Sequence, residues 1–146
     1  MGFIAQVMRN AVFIDARRNP MDCCFSAFKQ NFARGQSFSY GLEVVGDYYQ
    51  EYRAMMKHWH SVMPGRVKEV NYESIVNNLE YEVEVLLDHC GLAFEKACVD
   101  FHKTKRSVRT PSAQQVRQPI YKSGMNYWEN YAEYLSPLQE LLNDPN

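Results

Sequence analysis

Two places in this 146-residue chain gather side chains able to hold an anion. The first is Arg18, followed by Asn19, Pro20 and Asp22, with Ser26 four residues further on. A guanidinium gives phosphate or carboxylate a planar fork of charge-assisted hydrogen bonds, and a hydroxyl adds another donor. The second place is the stretch from Lys103 to Gly124, which carries Lys103, Lys105, Arg106, Arg109, Arg117 and Lys122. No acidic residue occurs between Phe101 and Asn126. The formal net charge is only −1, so the chain as a whole has no attraction for polyanions and any anion site is local. More ordinary roles compete: Arg18 can pair with Asp15 or Asp22, Ser26 can simply fill a helix, and a basic loop can be a solvated strip. Taken together, the two clusters favour an anion site.

The remaining reactive side chains give no comparable constellation. Cys23, Cys24, Cys90 and Cys98 contain no C-x-x-C pair, and adjacent cysteines on a helix point apart. They read as buried, reduced thiols. His58 and His60 flank Trp59 too closely to share a helix face, and His89 and His102 lack carboxylates at helical spacing. They read as surface or supporting residues. No catalytic residue and no metal ligand is assigned.

The elements that must position Arg18 follow from pattern. Val12 to Ala16 is an apolar run, read as a short buried strand. Asn19 stands where an N-cap belongs, Pro20 fits a first helical position, and Asp22 lies near the positive end of the helix dipole. This arrangement predicts Arg18 at the carboxyl end of a strand, beside free backbone N–H groups. In open α/β sheets ligands bind there, and a helix start suits an anion. The helix is expected to run to about Phe32, burying Cys24, Phe25, Phe28 and Phe32. Gly2 to Met8 forms a short leading helix, and Arg34 to Tyr40 a polar loop broken at Gly35.

Leu42, Val45, Tyr49, Tyr52, Met56, Trp59 and Met63 make one apolar stripe, the clearest helix in the sequence, closed by Pro64-Gly65. Val67 to Glu73 reads as a second strand with Val70 and Tyr72 on one face. A helix from about Leu79 buries Leu79, Val83, Leu86, Leu87 and Cys90. A short one between Phe94 and Phe101 turns Ala97, Cys98 and Phe101 inward. A Tyr/Trp-rich helix lies near Tyr127 to Tyr134, and Ser136-Pro137-Leu138-Gln139 reads as a capping box. Lys103 to Gly124 lacks periodicity and exceeds the roughly 12–15 residues usual for a loop, a length associated with function or disorder. The chain is expected to be a single α/β domain spanning 1–146, helix-rich, with a small parallel sheet flanked by helices. With no apolar run of membrane-spanning length and no leader pattern, a cytoplasmic protein without membrane contact is expected.

Several stretches resemble one family. R-x-P-x-D-x-x-x-S from Arg18 to Ser26 is similar to the 3′-phosphate-binding segment of the 3′-phosphoadenosine 5′-phosphosulfate (PAPS)-dependent sulfotransferases. Val70-Asn71-Tyr72-Glu73-Ser74-Ile75 resembles their strand end, whose tyrosine lies by the adenine. Arg109 to Ser123, followed by Trp128, is similar to the cofactor-covering loop of tyrosylprotein sulfotransferases and of bacterial sulfotransferases linked to tetratricopeptide repeats. The resemblance implies phosphate contacts from Arg18 and Ser26 and adenine contact from Tyr72. It likewise implies nucleotide or 3′-phosphate contacts from Ser112, Gln115, Val116, Tyr121 and Lys122.

The family's P-K-x-G-T/S-T/S loop around the 5′-phosphosulfate has no counterpart here, and its catalytic base would lie upstream of Met1. Gln30 also replaces an arginine of the tyrosylprotein enzymes. The resemblance therefore implies the carboxyl-terminal half of a sulfotransferase domain. Such a half supplies the 3′-phosphate and adenine side of the PAPS site and is inactive alone, while the complete enzyme releases 3′,5′-ADP. The acceptor hydroxyl is not identified. The other class of reading is a non-catalytic remnant acting as a protein-interaction or nucleotide-binding domain, its open sheet edge covered by a homodimer partner or an amino-terminal half. Nucleic-acid binding would need a basic face, against which the net charge argues.

Overall fold

The computed structural model describes residues 1–30, 32, 35–103, 117–120, 122 and 124–143. It is an α/β structure, rich in helix, with one parallel two-stranded sheet. In chain order the elements are α1 (Gly2–Val7), β1 (Phe13–Arg17), α2 (Pro20–Lys29), a 3₁₀ turn (Ser37–Tyr40), α3 (Leu42–Val62), β2 (Val67–Asn71), α4 (Tyr72–Asn77), α5 (Leu79–His89) and α6 (Lys96–Val99). Two 3₁₀ segments, Phe101–Lys103 and Tyr127–Tyr134, precede α7 (Ser136–Asn143). No helix among the described residues is long and apolar enough to cross a membrane.

The chain divides into two compact units. The first contains Met1–Ala11, Arg18–Val67 and Met125–Asn146. Its centre is Met21, Cys24 and Phe25 of α2 with Val45 of α3, Leu135 and Leu138, the last fully buried. The stripe on α3 behaves as its spacing predicts: Val45 and Met56 are buried, as is Met63 just past the helix end. Gly46 lets α3 and α7 approach closely, since a Cβ there would sit 3.0 Å from Leu141 Cδ1 and 3.2 Å from Leu138 Cδ1. Gly65 takes φ 76°, the left-handed turn that follows α3 and suits glycine. Arg66 then donates to the carbonyls of Arg9 (3.0 Å) and Ala11 (2.8 Å), tying the amino-terminal segment to the end of α3.

The second unit contains Val12–Arg17 and Lys68–Gly124. Here β1 departs from expectation. Its buried residue is Asp15, while Ile14 and Ala16 face outward. Burial of that carboxylate is compensated by Arg17, whose Nε donates to Asp15 Oδ2 at 2.7 Å and whose Nη1 lies 2.7 Å from Glu69 Oε2 on β2. The strand is held by an ion-pair relay across the sheet instead of an apolar face. Strand β2 ends at Asn71, so Tyr72 is not a strand residue; it begins α4 with Glu73 in the first turn.

Other boundaries and burials also differ. Helix α2 stops at Lys29 because Gln30 turns extended, and Phe28 is left exposed. The stripe on α5 is half-buried throughout, with no residue fully covered. On α6, Ala97 and Cys98 both face solvent, and no residue of this four-residue helix is buried. Ser136 is already the first helical residue of α7, and the Gln139 amide donates to Leu135 O.

Candidate anion-binding site

Asn19 builds the start of α2. Its side-chain oxygen accepts from the amides of Met21 (3.0 Å) and Asp22 (3.2 Å), and its carbonyl accepts from Cys23 (2.9 Å). Pro20 has no N–H to offer. The expected free amides are therefore absent: Asn19 itself satisfies the donors of the first turn. What remains for an anion at this helix start is the dipole and the side chains around it.

Arg18 precedes this cap, with its side chain 29% exposed and Nη2 3.8 Å from Asp22 Oδ2. The ordinary pairing with Asp22 is thus present, at a distance that makes it an ion pair and not a hydrogen bond. Ser26 is exposed in the second turn, about 9 Å along the axis from Pro20 at the usual helical rise. Asp22 stands midway, four residues from each. A half-exposed guanidinium, an exposed hydroxyl and a helix amino terminus fit a phosphate group in charge and in donor chemistry.

The same side of α2 carries features with no signal in local sequence. Asp22 is 2% exposed, and its carboxylate accepts the amides of Asn126 (Oδ2, 2.7 Å) and Trp128 (Oδ1, 3.2 Å). One turn on, Phe25 packs on Tyr131 with ring centroids 5.0 Å apart and on Tyr127 at 6.3 Å. A further turn on, Lys29 Nζ sits 3.9 Å from the Tyr127 ring centroid, a cation–π contact. Asp22, Phe25 and Lys29 are spaced as one helix face, a pattern that does not identify their partners. Their partners lie about a hundred residues further along the sequence. Asn126 adopts φ 56°, a left-handed turn that asparagine tolerates better than most residues. The hydrogen bond shared by the Tyr131 and Tyr127 hydroxyls (3.2 Å) favours the protonated Tyr131 and holds it above its ordinary pKa.

Cys24, beneath this face, is 1% exposed, and burial, with the neighbouring Cys23 thiol, pushes its pKa up to about 12. None of the four cysteines is in a disulfide, and only Cys24 is fully buried: Cys90 is partly covered, and Cys23 and Cys98 are exposed. The expectation of four buried thiols holds for Cys24: Cys23 is its neighbour on α2 and cannot share the inner face, Cys90 ends the half-covered α5, and Cys98 lies on α6, where no residue is buried.

Tyr72 and Lys122 belong to the second unit. Tyr72 is half-buried at the start of α4, and Lys122 is exposed. Lys103, at the head of the basic stretch, pairs with Asp100 at 3.0 Å and holds that carboxyl below its ordinary pKa. Ser112, Gln115, Val116 and Tyr121 lie outside the described residues, as do Lys105, Arg106 and Arg109.

A sequence model of the sulfotransferase family matches residues 1–96, which include Arg18, Ser26 and Tyr72. The chain is also 35% identical over 147 aligned positions to an uncharacterized protein of Aquifex aeolicus (strain VF5). That alignment covers 99% of this chain and 19% of the relative, so the chain spans about a fifth of the relative's length. The family match takes in α1 through the start of α6, with the capped helix start and its arginine inside it, and by that match the chain belongs to the sulfotransferase family.

Proposed function

We propose that this chain supplies the nucleotide side of a PAPS-dependent sulfotransferase site. Arg18 and Ser26 take the 3′-phosphate at the start of α2, and Tyr72 packs against or hydrogen-bonds the adenine. Ser112, Gln115, Val116, Tyr121 and Lys122 cover the nucleotide. The observation that carries this reading is Arg18, half-exposed beside an Asn19-capped helix start, within the residues matched by the family model. PAPS supplies the activated sulfuryl group. In the complete reaction the acceptor hydroxyl oxygen forms a bond to sulfur as the bond from sulfur to the 5′-phosphate oxygen breaks. 3′,5′-ADP leaves with the electron pair, and the acceptor proton passes to a base. This chain's own residues bind and orient the nucleotide; no catalytic residue is assigned to them.

The chain is read as the carboxyl-terminal half of the domain, without sulfuryl transfer of its own, because its sequence holds no counterpart of the loop that grips the 5′-phosphosulfate. A cytoplasmic setting suits a nucleotide cosubstrate and four cysteines outside any disulfide. The test is isothermal titration with 3′,5′-ADP and with 5′-AMP. Binding selective for the 3′-phosphorylated nucleotide, weakened about ten- to a hundredfold in Arg18→Ala, is the expected result. Equal affinity for both nucleotides, or unchanged binding in the variant, removes the assignment.

A second reading rests on two outward apolar residues, Val12 just before β1 and Ile14 within it, which are 43% and 48% exposed. They suit a covering layer from an amino-terminal half or a second copy, and the chain then serves as an interaction domain. Light scattering of the purified chain distinguishes the two: a monomer at all concentrations removes the second copy.

A further inference from the structure

We infer that Asp22 is the positioning residue of the anion site, coupling Arg18 to the carboxyl-terminal segment at Asn126–Trp128; the inference rests on Arg18 being the phosphate-binding residue. The carboxylate is buried, with its side chain 1% exposed, and its two oxygens have separate tasks. Oδ1 accepts the Trp128 amide at 3.2 Å. Oδ2 accepts the Asn126 amide at 2.7 Å and faces Arg18 Nη2 at 3.8 Å. Two backbone donors from one segment fix the plane of the carboxylate. Its charge then lies at a defined point beside a long, otherwise adaptable side chain.

A bound phosphate meets a guanidinium already oriented, so less ordering accompanies binding. Because Oδ2 is shared, the position of Arg18 and the seating of residues 126–128 depend on one group. Asn126 follows directly on the basic stretch in sequence, so Asp22 also anchors the chain where that stretch ends. Any anion at Arg18 and the seating of this segment are therefore linked, and each favours the other.

The position of the carboxylate makes the inference decidable in sign. Beside a phosphate, a negative charge acting only through space repels the ligand, and neutralising it would tighten binding. A carboxylate that only holds the fold would leave the affinity of folded protein unchanged. A positioning role predicts weaker binding when the carboxylate becomes an amide, since the amide nitrogen then confronts a backbone N–H.

The experiment is a double-mutant cycle on 3′,5′-ADP affinity with Asp22→Asn, Arg18→Lys and the pair, each shown folded by circular dichroism. Asp22→Asn is expected to weaken binding about three- to thirtyfold. On the Arg18→Lys background the same change is expected to have less than a twofold effect, because Asp22 acts through the guanidinium. Amide hydrogen exchange of the wild-type chain provides a readout independent of any variant: 3′,5′-ADP is expected to slow exchange at Asn126 and Trp128. Absence of nucleotide binding by the wild type removes the phosphate-site reading, and this inference with it. Normal binding that is weakened by Arg18→Lys but unaltered or tightened by Asp22→Asn leaves that reading standing and overturns this inference alone. Equal weakening on both backgrounds, or unaltered exchange at the two amides, also overturns it.

Discussion

Helices α3 and α5 carry similar apolar stripes and meet different fates. On α3 the stripe reaches buried positions at Val45 and Met56, with α2 and α7 laid against it. On α5 every stripe residue stays half-exposed, and its neighbours are the short helices α4 and α6. A periodic stripe specifies which face turns inward; how deeply that face is covered depends on partners from elsewhere in the chain. The first unit draws its covering layer from α7, far along the sequence, whereas the second unit relies on short local elements and on the Asp15–Arg17–Glu69 ion pairs.

Truncation in the better-covered core should have the largest effect. Leu138→Ala removes a fully buried side chain and is expected to cost about 2–5 kcal/mol, against about 1–2 kcal/mol for Leu86→Ala on α5. Both tryptophans, Trp59 and Trp128, fall in the first unit. Urea unfolding followed by tryptophan fluorescence should therefore move for Leu138→Ala and respond less to Leu86→Ala, while far-ultraviolet circular dichroism registers both. If Leu86→Ala shifts the fluorescence midpoint as far as Leu138→Ala does, the contrast between the stripes is lost.

The next effect is alkaline. The Cys24 thiol is raised from 9.0 to about 12 in the fold, so below pH 9 it is protonated whether the chain is folded or not. Between pH 9 and about 12 the unfolded chain ionises first, and stability falls by about 1.4 kcal/mol per pH unit from this group. Cys24→Ala should flatten that part of the profile, measured by denaturant midpoints at pH 8 and 10. A thiol reagent at pH 8 should meanwhile modify Cys23 and Cys98 and spare Cys24 in the native chain.

The smallest effect belongs to the second unit. Arg17→Met removes partly exposed ion pairs and should cost about 1 kcal/mol or less at moderate salt, apart from the desolvation of Asp15. Because Asp15 is 7% exposed, the loss should shrink in Asp15→Asn/Arg17→Met. A double change that costs as much as the two singles added together would show that the relay carries no coupling.

What could be read in advance tracks how local its cause is. Asn19 and Pro20 specify the start of α2 within a few residues, and that start lies where the sequence puts it. The fate of the amides beside it was not legible, because the cap that marks the helix also consumes its donors. Tyr72 continues the alternation of Val70, and the β-branched Ile75 and Val76 give no local signal for a helix, yet β2 ends at Asn71 and α4 begins at the tyrosine. The burial of Asp15 contradicts a reading by hydrophobicity, since Arg17 compensates it through side-chain chemistry that periodicity does not register. The position of Asp22 marks a helix start, while its two partners, the amides of Asn126 and Trp128, are set by tertiary contact alone and leave no trace in local pattern.

The interrupted layout of the first unit bears on the order in which the chain can fold as it is made. Its core joins Met21, Cys24 and Val45 to Leu135 and Leu138, with the intervening second unit synthesised in between. During translation the amino-terminal helices emerge long before the residues that close over them, so Phe25 and Val45 must wait while Lys68 to Gly124 is added. The second unit has most of its residues in one run and can collapse first, leaving the older part of the nascent chain with its apolar surface unfinished. A factor that binds exposed hydrophobic segments would therefore engage the chain at α2 and α3 and release it only once Leu138 has left the ribosome.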